Sequence, residues 1–219
     1  MQDCAVIFDM DGVIVHTNPY HEEAFKAFFN KYQVRFSEDD FMEHMYGKHN
    51  SYILSHFFGR SIAGDELTLM ENEKESMFRE LFKDFVVPID GYMPFLNQLK
   101  DANIPTGVAT SAPRDNMKLI IGQLDLNPLM GSLMASEDVT RHKPDPEIYL
   151  QSAANLGMEP ERCVVFEDSF SGVTAARAAG TKVVGVLSTH SIQQLPPCDH
   201  YIRDYRDLQV EVIADLVKR

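Results

Sequence analysis

The run Ala5-Val6-Ile7-Phe8 leads straight into Asp9-Met10-Asp11-Gly12, and no other feature constrains the fold of this chain as tightly. The run is short, branched and aromatic, which predicts a buried β-strand. Gly12 lets the backbone turn tightly where the strand ends. Two carboxylates therefore sit at the carboxyl end of a strand, the edge where open α/β sheets place their ligands. A carboxylate there can attack phosphorus, hold a cation or move a proton. An Asp-Gly pair alone would mark only a turn. Three polar clusters further along the chain argue for more.

Those clusters are Thr110-Ser111, Lys143-Pro144 and Glu167-Asp168. Ile104 to Ala109 precedes the first, Leu133-Met134-Ala135 comes shortly before the second, and Cys163-Val164-Val165-Phe166 precedes the third. Acid, hydroxyl, base and acid pair thus follow separate extended runs that one sheet edge can gather. From Ile104 onward, strand-like runs alternate with helical ones: Met117 to Leu124, Ser132 to Ala135, Ile148 to Leu156, Val164 to Phe166, Val173 to Ala179 and Lys182 to Leu187. Alternation of this kind predicts an α/β fold, a parallel sheet with helices on both faces.

Between the first strand and this alternating region the pattern is helical. Asn18-Pro19 opens a helix, with Asn expected as N-cap and Pro at the first helical position. Ser37-Glu38-Asp39-Asp40 opens another, a third is expected from about Ser51 to Phe58, and a longer one carries Leu67, Met70, Met77, Phe78, Leu81 and Phe82 on one face. These shifts predict a helical domain, residues 18–86, inserted into a core domain made of residues 1–17 and 87–219.

The set Asp9-Met10-Asp11-Gly12, Thr110, Lys143 and Glu167-Asp168 resembles the haloacid-dehalogenase-like (HAD) superfamily. Thr17, Tyr20-His21, Lys143-Pro144-Asp145-Pro146 and Glu167-Asp168-Ser169 make it most similar to that superfamily's sugar-phosphate phosphatases and β-phosphoglucomutases. The resemblance covers nearly the whole chain. It implies a Rossmann-like core with a helical cap inserted after the first strand. It also implies Asp9 as the nucleophile that takes up the phosphoryl group and Asp11 as general acid and base. Spacing alone does not say which aspartate does which. The dehalogenase branch lacks the second acid, so Asp11 points to phosphate esters. Mg²⁺ is the implied cofactor, held by Asp9, the Asp11 backbone carbonyl and Asp168, with Glu167 reaching it through water; an all-oxygen donor set suits that ion. Thr110, Ser111 and Lys143 are the implied phosphate-binding residues. In the cap, His21, Gly47, Lys48 and Asn50 are the candidates for reading the substrate. Asn50 stands where the similar mutases carry an arginine for a second phosphate, and a lysine at 48 lacks that bidentate fork.

With 219 residues, 44% of them hydrophobic, the chain has enough apolar mass for one sizeable core and a small second module. A net charge of −13 makes nucleic acid and anionic membranes poor partners. Three scattered cysteines, Cys4, Cys163 and Cys198, show no disulfide framework or zinc spacing, which fits a reducing compartment. His44, His49 and His56 read as solvated side chains. The start of the chain lacks signal-peptide features, and no run approaches the ~18 apolar residues of a membrane span. A cytoplasmic monomer is the expectation. The functional expectation is a Mg²⁺-dependent phosphatase acting on a small phosphorylated metabolite through an aspartyl-phosphate. The alternatives are a β-phosphoglucomutase, an inorganic pyrophosphatase and a non-catalytic binding protein on the same fold.

Overall fold

A computed structural model describes residues 4–45 and 48–218. The candidate Gly47 lies outside the described residues. The chain divides into two compact units, one of residues 1–16 and 87–219 and the other of residues 17–86.

The first unit is built on a parallel sheet. Its strands are β1 (Ala5–Phe8), β2 (Thr106–Ala109), β3 (Ser132–Met134), β4 (Cys163–Glu167), β5 (Lys182–Val186) and β6 (His200–Ile202), in the spatial order β3-β2-β1-β4-β5-β6. β1 and β4 are buried along their whole length, which is why both read as unbroken apolar runs. β6 closes one edge and is only partly buried. Helices α5 (Tyr92–Asp101), α6 (Arg114–Gln123), α7 (Glu147–Asn155), α8 (Phe170–Ala178) and α9 (Val210–Val217) belong to this unit. One core cluster joins Ile7 and Val165 of the sheet to Ile148 and Tyr149 of α7 and Val173 of α8.

Register does the positioning. Ala5 faces Cys163 and Phe8 faces Phe166, so Asp9 leaves β1 level with Glu167. The Asp9 amide donates to the Phe166 carbonyl at 3.0 Å. On the other side Phe8 faces Val108, which brings the end of β2 and Thr110 to the same edge. The β1 turn is closed by the Gly12 amide donating to the Val15 carbonyl at 2.8 Å, with Gly12 at φ +74°.

Unit two contains α1 (Asn18–Lys31), α2 (Glu38–Met45), α3 (Asn50–Phe57) and α4 (Gly64–Phe82). Thr17, one residue earlier than expected, is the N-cap of α1, and α3 likewise starts at Asn50. The core here is rich in phenylalanine: Phe25, Phe28, Phe29 and Phe41 pack with Ile53, Leu54 and Met70. Helices α5 and α9 and strand β6 are not among the elements expected from the sequence. β6 is three residues long and α9 eight, short enough for their periodicity to be lost.

A charged group is sealed inside this second core. Lys74 Nζ donates to Glu75 Oε1 at 2.8 Å, with side chains 2% and 4% exposed. The ammonium lies 4.0 Å from the Phe25 ring centroid and 2.9 Å from His21 Nδ1. Asn50 Nδ2 donates to the same Glu75 oxygen at 2.7 Å. Burial pushes the Glu75 carboxyl up, but Lys74, His21 and the amide of Asn50 outweigh it and hold the group at about 2, against an ordinary 4.5. A lowered carboxyl stabilises the fold above its unfolded value and loses that contribution as pH falls towards the folded one. Glu75→Gln should therefore cost about 3–5 kcal/mol at neutral pH, since it removes one partner of a buried ion pair. Urea denaturation across pH checks this: the gap between wild type and Glu75→Gln should be full above pH 4.5 and shrink as pH falls towards about 2.

Candidate active site

Three strand ends meet around one ammonium. Lys143 follows β3 on a loop and its side chain is 4% exposed. Its Nζ donates to Asp9 Oδ1 at 2.6 Å, Glu167 Oε1 at 2.8 Å and the Ala109 carbonyl at 3.1 Å. All three N–H directions of the ammonium thus have acceptors, one each from β1, β4 and β2. The face of Tyr149 lies 4.8 Å from the same nitrogen. Burial opposes the lysine's charge, but Asp9 and Glu167 more than offset it and raise its pKa.

Glu167 is bound more completely than its expected role requires. Oε1 accepts from Lys143 and from the Tyr149 hydroxyl at 2.8 Å. Oε2 accepts the amides of Asp168 and Ser169 and the Ser169 hydroxyl, each at 3.0 Å. Burial raises its pKa, but Lys143 and these donors outweigh burial and the net shift is downward. With five donors on two oxygens, Glu167 is a counter-ion and brace for Lys143. Ser169 is also the N-cap of α8, its hydroxyl accepting from the Gly172 amide at 3.0 Å.

Asp9 and Asp168 are buried carboxylates of another kind. Asp9 is raised to about 8 by burial, which Lys143 only partly counters, with Glu167 and Asp11 adding to the rise. Asp168 is raised well above the ordinary value by burial, then by Glu167 and Asp9. Burial among like charges favours the neutral form of both carboxyls. Ligand oxygens of Asp9, Glu167 and Asp168 all lie within 4.8 Å of one another. An uncompensated excess of buried carboxylate, all hard oxygen, fits a divalent cation such as Mg²⁺. Asp9 and Asp168 are the residues that would hold it, and its charge would return both to the ionised form.

The rest of the expected phosphate site sits at the same edge. Thr110 is buried, and its Oγ1 accepts the Ala112 amide at 3.0 Å, a bond that does not use its own proton. Ser111 is half-buried beside it. Of the expected cap candidates, Lys48 is exposed, its Nζ 5.8 Å from the Tyr52 ring centroid. His21 stacks on Phe78 with ring centroids 3.8 Å apart and meets Lys74. Asn50 is buried with its amide on Glu75.

Several residues of the site carry no local sequence signal. Tyr149 reaches Glu167 from α7. Thr189, on the loop after β5, donates its hydroxyl to Asp168 Oδ2, and His190 Nδ1 donates to the Asp168 carbonyl at 2.9 Å. Ser188 donates to the Gly12 carbonyl at 2.5 Å. The Ser188-Thr189-His190 run could have been found only as polar residues following a strand.

Known proteins carry the same layout. The family model described as haloacid dehalogenase-like hydrolase matches residues 6–186. The chain belongs to this family. It is 30% identical over 203 residues to validoxylamine A 7′-phosphate phosphatase of Streptomyces hygroscopicus subsp. limoneus, covering 93% of this chain and 94% of that one. It is 34% identical over 195 residues to the phosphorylated carbohydrates phosphatase of Thermotoga maritima, covering 86% of each. Its structure is similar to that of β-phosphoglucomutase from Clostridium difficile, with a TM-score of 0.86 and 26% identity over 100% of this chain and 98% of that one. Among the described residues of this haloacid dehalogenase-like chain, no helix is long and apolar enough to cross a membrane.

Two glycines test the site's packing. A Cβ on Gly172 would stand 1.6 Å from Glu167 Oε1, whereas one on Gly122, exposed in α6, meets nothing within 4 Å. Gly172→Ala should destabilise by about 1–3 kcal/mol through overpacking. Gly122→Ala should stabilise by roughly 0.5–1 kcal/mol through helix propensity. Thermal melts of the two variants should move in opposite directions.

Proposed function

We propose that this hydrolase is a Mg²⁺-dependent phosphatase of small phosphorylated metabolites, working through a phosphoryl group carried on Asp9. The observation that supports it most is Lys143, which holds Asp9 Oδ1 at 2.6 Å and so fixes that carboxylate at the sheet edge. An Asp9 oxygen attacks phosphorus and the bond from phosphorus to the ester oxygen breaks. Asp11, two residues on, gives its proton to the leaving oxygen. Asp11 then takes a proton from water, the water oxygen bonds to phosphorus, and the Asp9–phosphorus bond breaks. Bound Mg²⁺ would supply charge neutralisation between Asp9 and an anionic substrate. The Thr110 hydroxyl, and Lys143 on exchanging one of its three acceptors for the substrate, are the protein's own donors for the phosphoryl oxygens.

The two named phosphatase relatives support a carbohydrate-like or polyol-like phosphate as substrate. The mutase reading is less favoured, because the Asn50 amide, where an arginine is expected, is engaged by Glu75. Lys48, exposed in the helical unit, is the proposed reader of the substrate's leaving group.

Asp9→Asn should abolish release of phosphate while the purified protein remains folded, as far-UV circular dichroism would show. Asp11→Asn should slow turnover by ~10²–10⁴-fold, most for esters with poor leaving groups. Chelator should silence the enzyme and Mg²⁺ restore it. Hydrolysis, isomerisation and pyrophosphate cleavage measured side by side decide among the readings. Full activity of Asp9→Asn or of metal-free protein would overturn the proposal. Within this scheme Lys143→Ala should depress kcat/KM for every ester together. Lys48→Ala should instead reorder substrates with little effect on a small generic ester, as kcat/KM across several esters would show.

A further inference from the structure

A second group of donors lies within the helical unit, unrelated to the carboxylates of the sheet edge. Asp40 and His44 are one turn apart on α2, and His56 comes from α3. His56 Nε2 is 3.0 Å from Asp40 Oδ1 and His44 Nε2 is 3.7 Å from the same oxygen. One ligand atom from each of the three can be chosen so that all lie within 4.8 Å of one another. The imidazoles are stacked in the metal-free protein, centroids 3.8 Å apart at 23°, and both have Nε2 near that carboxylate, so binding one ion through both requires one ring to turn about its Cβ–Cγ bond. The hydroxyl of Tyr52, one turn before His56 on α3, is 2.7 Å from His44 Nδ1. The side chains of Asp40, His44 and His56 are 39%, 22% and 31% exposed, so the group can be reached from solvent. Glu43 Oε1 is 4.0 Å from His44 Nε2 and offers a fourth donor.

We propose that Asp40, His44 and His56 bind a divalent transition metal of the zinc type, tying α2 to α3. Two imidazole nitrogens and one carboxylate oxygen select such an ion over Mg²⁺, which prefers oxygen alone. The separations of 3.0 and 3.7 Å bracket the ligand–ligand spacing of roughly 3.3 Å that tetrahedral bonds of about 2.0–2.1 Å impose. In the bound state His44 Nδ1–H donates to the Tyr52 hydroxyl, which fixes the tautomer and aims the Nε2 lone pair at the metal. The proton that His56 Nε2 shares with Asp40 in the free protein is displaced. Sequence spacing hides the site, because His56 reaches the pair only through the packing of α2 on α3. The metal holds together the two helices that flank Lys48 and His49. The inference does not depend on the phosphatase reading, since it involves none of those residues.

Titration of untagged, chelator-treated protein with Co²⁺ tests it, with excess Mg²⁺ present to occupy the carboxylate site. Intense visible ligand-field bands should saturate at one equivalent, and Zn²⁺ should displace the cobalt and raise the melting temperature. Tyr52→Phe should weaken cobalt binding by about 10–100-fold, as expected for a group that orients a ligand. His44→Ala and His56→Ala should weaken it further and abolish the zinc-dependent rise. Asp168→Ala should leave the bands unchanged. Absence of bands in wild-type protein, or bands and a zinc-dependent rise that survive in the His44→Ala/His56→Ala double variant, would overturn the proposal.

Discussion

The Lys143 ammonium, shared among Asp9, Glu167 and the Ala109 carbonyl, is the interaction on which the site depends. Each acceptor belongs to a different strand end, so one buried cation reports the alignment of three strands. A buried ion pair adds little net stability, because desolvation consumes most of the attraction, yet breaking it is costly. The lysine is therefore better understood as a device for placing Asp9 than as a stabilising contact. Its geometry in turn rests on the register of β1 against β4. A slip of one residue would turn the side chains to the other face and part Asp9 from Glu167.

The sheet order explains why the site forms where it does. β2 and β3 are laid down on one side of β1, and the chain then returns to place β4, β5 and β6 on the other. That reversal opens a crevice at the carboxyl ends of β1 and β4, the usual ligand site of open α/β sheets. The loops after β1, β2, β4 and β5 supply Asp9, Thr110, Asp168 and Thr189 to this edge. The loop after β3 must reach further, and Lys143 has the length to do so. Its neighbours Pro144 and Pro146 restrict the backbone behind it.

Much of this edge was legible because strand ends carry local signals. Val6-Ile7-Phe8 and Val164-Val165-Phe166 read as buried strands, and the residues just after a buried strand must lie at the sheet's end. What the residue types could not reveal were relations between side chains from distant positions. Nothing local shows Tyr149, Ser169 and Lys143 converging on Glu167. Nothing local shows the Asn50 amide meeting Glu75, 25 residues away in sequence. Lys74 and Glu75 sit in a stretch of charge, Glu71 to Glu75, that has the composition of a solvated helix face, yet both are buried. Their burial comes from α1 supplying Phe25 and His21 as walls around the ammonium. The acidity of Asp9 is hidden from local sequence for the same reason: the groups around it come from other strands.

The glycines show how strongly the site shapes the fold around it. Gly172 lies in the first turn of α8, where glycine weakens a helix, and any side chain there would strike Glu167. Gly12 holds a left-handed φ, and a Cβ on it would stand 2.0 Å from Asp168 Oδ2 and 2.9 Å from Thr189 Oγ1. Both positions keep backbone close against a buried carboxylate. In both the helix or turn gives up stability so that an acid can sit deeper than its solvation favours. Depth is what raises Asp9 and Asp168, and two raised acids side by side are what make a bound cation favourable there. The small residues and the acid pair thus form one arrangement: the glycines create the space, the space lets the acids sit deep, and depth makes a nearby positive charge favourable.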